Sequence, residues 1–389
     1  MRQTMRPFAP GAQGASEIPP APAAEARARR GVRAWLYLLA LLVVAMVAVG
    51  GATRLTGSGL SITEWRPVTG AMPPLSAADW TAEFEKYRGT PQYRILNEGM
   101  GLSDFKTLYW WEWGHRLLGR IVGLVFFLPF FWFLWRRALS GRLLLGLLGL
   151  GLLGGLQGAI GWIMVASGLQ PGMTAVAPLK LALHLTTASL ILAGLVWLAA
   201  GLRGQALAPA PARIRVGACA LPVLVLVQIF LGGLVAGSKA GLIYNTWPDM
   251  DGVFVPAADA LFAIKPLIEN FVDNVTLVQF NHRLAAYLVV LVALLHALDA
   301  RLSGQSGAAG RAAGIAALAL AQAGLGIATL LLQVPLWAAL CHQVFAMAVL
   351  VMATVHARLS RGVGPAASTG RAPTGPAEVP FGFEALAGR

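Results

Sequence analysis

EWGHRLLGRIVGL at residues 112–124 and QFNHRLAAYLVVL at residues 279–291 are two versions of one phrase. Each sets a histidine beside an arginine and then runs on as an apolar stretch long enough to enter a bilayer. The first copy also carries Glu112 and Trp113, and Trp110 and Trp111 stand just before it. A carboxylate, an imidazole and a guanidinium within five positions are costly in hydrocarbon, so residues of this kind point to a task.

The rest of the chain supplies the setting. Of 389 residues, 57% are hydrophobic and only 12% charged, and the mean hydropathy is +0.66. Runs of about 20 apolar residues each suffice to span a bilayer. Eight such runs lie at 33–52, 113–135, 143–166, 179–201, 215–237, 279–299, 312–333 and 336–357. The chain is read as an all-α membrane protein with eight transmembrane helices, because the alternation a membrane barrel needs is absent.

The net charge of +13 does not mark a nucleic-acid binder. Arg27, Arg29, Arg30 and Arg33 precede the first run; Arg136, Arg137 and Arg142 follow the second; Arg203, Arg213 and Arg215 separate the fourth and fifth. Arg301 and Arg311 separate the sixth and seventh, and Arg358 and Arg361 follow the eighth. Every second connection is Arg-rich, the positive-inside pattern, so both termini are assigned to the cytoplasm. The chain divides into a cytoplasmic tail at 1–32, a first half at 33–201, a cytoplasmic linker at 202–214, a second half at 215–358 and a disordered tail at 359–389. The first run is taken as a retained anchor, having no convincing cleavage site. Outer connections at 53–110 and 238–277 are rich in Trp, Tyr and Pro and read as small ordered caps. Cys219 and Cys341 fall near opposite ends of their spans, too far apart for a disulfide.

The two halves rhyme beyond the opening phrase. Third spans share QGAIGW at 157–162 and QAGLGI at 322–327, and fourth spans share a histidine in ALHLTTASL and ALCHQVFAM. With an even number of spans per half, the repeat is parallel. Two pseudo-symmetric four-helix bundles follow as the simplest architecture.

Of six histidines, His115, His184, His282 and His342 occupy matching places at the outer ends of spans 2, 4, 6 and 8. His296 and His356 lie fourteen residues further on, where snorkelling to the interface accounts for them. In an up-down bundle, helices 2 and 4 of each half are diagonal and run the same way. A histidine near the same end of each suits a flat macrocycle whose iron takes one imidazole per side, so the pairs His115/His184 and His282/His342 read as two bis-His haem sites. Glu112 and His115 have the i, i+3 spacing of di-iron bundles, but the other helices lack the carboxylates such a site needs. Zinc hydrolysis lacks its clustered ligands as well.

Arg116 and Arg283 directly follow the first histidine of each half and are candidates for pairing with haem propionates, or with phospholipid headgroups. Glu112 is matched in the second half by Gln279. A carboxylate beside one haem only suggests chemistry in the first half; the alternative is a charge capping a helix N-terminus.

These residues resemble the haem A synthase family, in the group without a cysteine pair in the first outer loop. The likeness runs in order from about residue 34 to 358: TRLTGSGLSITEWRPVTGAMPPL at 53–75, WWEWGHRLLGR at 110–120, GGLVAGSKAGLIYNTWPDMDGVFVP at 232–256, then QFNHR and ALCHQ. The resemblance implies oxidation of a ring methyl of haem O to a formyl group, giving haem A for cytochrome oxidase. It implies haem B held by His282 and His342, substrate haem near His115 and His184, and Glu112 as the catalytic carboxylate. It further implies a bacterial inner membrane with haem sites toward the periplasm, and haem O synthase and oxidase assembly factors as partners. A homo-oligomer and an electron acceptor of unassigned chemistry belong to the same expectation. Whether water or dioxygen supplies the oxygen stays open. The rival reading is a di-haem b-type cytochrome passing electrons between quinone and an outer partner.

Overall fold

The computed structural model describes residues 23–204 and 206–363. All eight apolar runs form helices long and apolar enough to cross a membrane. In chain order the helices are α1 (Ala23–Leu55), α2 (Ala77–Arg88), α3 (Pro91–Leu96), α4 (Leu102–Trp135), α5 (Gly141–Gly168), α6 (Pro178–Gly201) and α7 (Ala212–Gly237). There follow α8 (Ala258–Leu261), α9 (Asn270–Asp273), α10 (Val275–Leu302), α11 (Ser306–Leu331) and α12 (Leu336–Ser360).

Several boundaries differ from the sequence expectation. The helix-favouring stretch EARARR carries α1 ten residues back into the expected tail. At the other end, α12 runs to Ser360, and Val363 pairs with Leu207 through two backbone hydrogen bonds of 2.9 and 3.0 Å. The remaining expected tail, 364–389, and residues 1–22 lie outside the described residues. The largest difference is at α4, which starts at Leu102, eleven residues before the expected span.

That extension exists because the first long connection has its own core. Phe105 and Tyr109 of α4 pack with Trp80, Tyr87 and Tyr93 from α2 and α3, and Tyr87 and Phe105 are fully buried. Ser76 starts α2 with a capping box: its hydroxyl accepts the Asp79 N–H at 3.1 Å, and Asp79 Oδ2 accepts the Ser76 N–H at 3.0 Å. Thr90 caps α3, with Pro91 at its first position.

Within the membrane region, α7, α10, α11 and α12 form a closed ring, each helix packed on the next. In the first half α1 packs on α4 and α6, and α6 on α5, but α4 and α5 scarcely touch. Only 6% of the apolar window of α4 or of α5 is buried, against 22–39% in the other six spans. One ring is therefore shut and the other has an open side. The halves join where α6 packs on α7 and α12, and α1 on α12. Close approach there needs glycine: a Cβ on Gly233 would lie 2.7 Å from Ala182 Cα.

Pro129 interrupts α4 and cannot donate to the Val125 carbonyl, one turn back. The indole of Trp35 on α1 donates to that carbonyl instead, at 2.7 Å. An orphaned acceptor in an apolar environment is thereby satisfied by a neighbouring helix.

Candidate functional site

The four matching histidines lie on α4, α6, α10 and α12, toward the end of the bundle that carries the two long connections. Helices α4 and α6 are diagonal in the first half, and α10 and α12 are diagonal in the second.

Each of the four rings is laid over a glycine of a neighbouring helix. A Cβ on Gly50 of α1 would come within 2.9 Å of the His115 ring, and one on Gly161 of α5 within 2.9 Å of His184. The equivalent distances are 3.1 Å for Gly232 of α7 against His282 and 2.7 Å for Gly326 of α11 against His342. Any side chain at these positions would push an imidazole out of place. Four imidazole rings packed against glycines, in two diagonal pairs, suit axial ligation of two macrocycles.

Glu112 does not cap a helix, since α4 begins ten residues earlier. It is buried, and both its oxygens are engaged. Oε2 accepts from Ser61 Oγ and from the Ile62 N–H, each at 2.8 Å. Oε1 accepts from Arg116 at 2.6 Å. Arg116 also donates to the carbonyls of Ile62 at 2.6 Å and Glu64 at 2.9 Å. Glu112 and Arg116 thus clasp the first long connection onto α4. Arg120, one turn on, donates to the carbonyls of Arg66 and Pro67 at 2.8 and 2.9 Å.

The second half builds the same clasp from opposite chemistry. Gln279 donates to the carbonyls of Ala240 and Tyr244, both at 3.1 Å. Arg283 donates to those of Asp249 at 2.7 Å and Tyr244 at 3.0 Å. The first connection presents an N–H and a hydroxyl, which a carboxylate accepts; the second presents carbonyls, which an amide answers. Both arginines spend both terminal nitrogens on their clasps. Arg283 keeps a buried Nε–H without partner, so it has a donor left for an anion such as a propionate.

Comparison with known proteins decides the family. The COX15-CtaA family, described as cytochrome oxidase assembly protein, matches residues 33–354. A relative from Methylorubrum extorquens named Heme A synthase is 79% identical over 359 residues, 92% of this chain and 93% of that protein. A Heme A synthase of Methylorubrum populi is 78% identical over 358 residues, again 92% and 93% of the two chains. One from Bradyrhizobium diazoefficiens is 51% identical over 324 residues, 83% and 90% of the two chains. This chain belongs to the COX15-CtaA family.

Two features of this COX15-CtaA chain escape a reading of its sequence. His296 and His356 do not snorkel. Both are buried, and their Nε2 atoms are 2.8 Å apart. Arg311 Nε, which can only donate, approaches His356 Nδ1 at 3.4 Å. One Nε2 donates to the other, and the bond pins α10 to α12 at the end remote from the long connections. In the first half, fourteen residues beyond His115 and His184, stand Pro129 and Leu198.

The second feature is a glutamine four residues before three of the four glycines. Gln157, Gln228 and Gln322 donate to the backbone carbonyls of His184, His282 and His342 at 3.0, 3.1 and 2.9 Å. The recurring five-residue pattern Gln-x-x-x-Gly, at 157–161, 228–232 and 322–326, was the signal available in the sequence.

Proposed function

We propose that this chain is a haem A synthase that oxidises one ring methyl of haem O to a formyl group. Haem O lies between His115 and His184 in the open ring, and a resident haem B lies between His282 and His342 in the closed one. The observation that carries this reading is the doubled His-on-glycine arrangement in a chain of this family, with an opening between helices in one copy only. A substrate as large as haem must enter and leave, whereas a cofactor need not. The glycine cradles and the unpartnered Arg283 Nε fit a macrocycle with propionates. When bound, haem B supplies a one-electron carrier.

The chain's own groups then do three things. His115 and His184 hold the substrate across the bundle, and the aromatic core of the first connection closes the site over. Glu112 is the one acid within a helical turn along the sequence of any of the four histidines. Held against Arg116 and two further donors, it presents negative charge beside the substrate site and can take a proton as the methyl is oxidised. A buried carboxylate fixed in this way needs no reorganisation when positive charge develops on the substrate.

The connection-bearing end faces the periplasm of the bacterial inner membrane, with both termini in the cytoplasm, in keeping with the arginine distribution. Haem O synthase and oxidase assembly factors are the partners to seek, since free haem is unsafe to release. Extracting the haems from purified protein and separating them tests the proposal. Haem B together with haem O, haem A or a hydroxylated intermediate is the expected result. Haem B alone would favour a di-haem cytochrome.

A further inference from the structure

On α10 the residues two before and two after His282, Phe280 and Leu284, face away from it. They wall one side of a groove of about 270 Å³ on the far face of that helix. Trp247 and Phe254 of the second long connection wall the other side, and Arg283 and Tyr287 complete the lining. A mostly apolar, aromatic slot with a few fixed polar groups is the usual form of a small-molecule site. Leu284 and Tyr287 are exposed on the membrane-spanning helix, so the groove opens toward lipid.

The polar groups of this groove are donors. The Tyr287 hydroxyl accepts from the Trp247 indole at 3.1 Å, which leaves its own O–H free to donate. Arg283 is buried, and the Asp249 and Tyr244 carbonyls fix its terminal nitrogens. After one bond each, those nitrogens keep a second N–H. The lining contains no carboxylate. Donors among aromatic rings suit a flat, uncharged ligand that bears carbonyl oxygens. The first half differs at this place. There the counterpart of Tyr287 is Arg120, tied to the Arg66 and Pro67 carbonyls and packed against Gly70.

We propose that this groove binds a membrane quinone, the acceptor of the electrons that oxidation of the substrate methyl releases. This rests on the haem assignment above. With water as the oxygen source, turning –CH3 into –CHO releases four electrons and four protons. Two quinones balance them, each taking two electrons and two protons to become a quinol. The placement fits, because His282 and the groove occupy opposite faces of the same turn of α10, on the haem B side of the molecule. Arg283 joins the two, with its Nε–H left for a propionate and its terminal N–H groups for a quinone carbonyl. The competing account is an aromatic anchor at the membrane interface, or a seat for a phospholipid. An anchor explains Trp247 and Tyr287, but it does not need a groove backed by a buried arginine. A phosphate would call for an exposed cation.

Anaerobic mixing of the reduced, purified full-length protein with decylubiquinone tests this, with haem B oxidation followed by its absorbance. Haem content and bound lipid are measured by extraction in every sample. The wild type should be oxidised at a rate that saturates with quinone. Tyr287→Phe, which removes one donor, should raise the half-saturating concentration roughly 3- to 10-fold, the worth of one hydrogen bond. Leu284→Trp, which fills the groove, should abolish saturation. Ferricyanide, which needs no groove, should oxidise haem B equally fast in all three proteins. Saturable oxidation unchanged in both variants at full haem B content would overturn the proposal. So would a phospholipid kept by the wild type and lost from Leu284→Trp while quinone oxidation stays the same. Absence of haem B from every preparation would instead overturn the assignment beneath it.

Discussion

The two halves of this molecule repeat what holds and vary what lets go. Each half clasps a long connection to its second helix through an i, i+4 pair, Glu112 with Arg116 and Gln279 with Arg283. Each lays two histidines over two glycines. Around that shared frame the second half is tightened: α10 packs on α11, and His296 bonds to His356. The first half has an open side between α4 and α5, a proline where His296 would be, and a methionine where the glutamine of the Gln-x-x-x-Gly pattern would be. On the proposed assignment, a duplicated scaffold keeps one haem and exchanges another by changing the packing around the site rather than the ligands.

The comparison breaks most sharply at the ligands themselves. His282→Ala should strip haem B while leaving the substrate haem in the other half, and Gly326→Leu should do the same by driving the His342 ring aside. The mirror variants His184→Ala and Gly161→Leu should empty the first half and spare haem B. Extraction and separation of the haems from each variant reads this directly. Loss of both haems from any single variant would mean that the halves do not bind independently.

Glu112→Gln is the next step down. It makes the first clasp resemble the second but keeps the ring contacts, so both haems should remain bound. Turnover should fall by roughly two orders of magnitude, within the range that positioned acids and bases contribute. Haem O should accumulate in cells dependent on this protein. Normal haem A production would take Glu112 out of the chemistry and leave it as a fastener for the first connection.

How much of this was legible depends on range. The spans are legible because an apolar run of bilayer length forms a helix whatever its neighbours. The start of α4 is not, because residues 102–112 are helical through burial of Phe105 and Tyr109 against α2 and α3. That one boundary decided whether Glu112 could be a cap. The outer histidines stand out by their repetition, and so does Glu112 by breaking it. His296 and His356 were misread because pairing between helices leaves no local mark, although their equal fourteen-residue spacing from His282 and His342 was a clue. Gln228 was hidden among apolar neighbours. Met46 is visible only as an exception, once the pattern it interrupts is known.

A smaller effect concerns a bond that α4 needs and its counterpart α10 does not. Trp35→Phe removes the donor that satisfies the Val125 carbonyl opposite Pro129. Leaving that acceptor unpaired costs about 1–3 kcal/mol, and α10 has no proline requiring such help. Thermal unfolding in detergent should register the loss without any change in haem B. Stability equal to wild type would mean that water or lipid headgroups reach the carbonyl through the open side of the ring.

The smallest effect tests whether the cap over the open ring matters to what lies beneath it. Ser76→Ala deletes the capping box of α2, whose far end carries Tyr87 into the connection's core. The Ser76 hydroxyl, followed by the backbone N–H groups of Ser76 and Leu75, holds the Asp79 carboxyl below its ordinary range. A carboxyl depressed in the folded state contributes stability above its unfolded pKa and loses it as pH falls through the folded one. Amide hydrogen exchange in the first turn of α2 should therefore quicken in Ser76→Ala at neutral pH, and in the wild type only on acidification. Because Glu112 fastens the same connection at Ser61 and Ile62, the substrate haem and its turnover should be untouched. A fall in turnover from this distant substitution would show that the connection closes the site as one rigid piece, with α2 and Glu112 acting together.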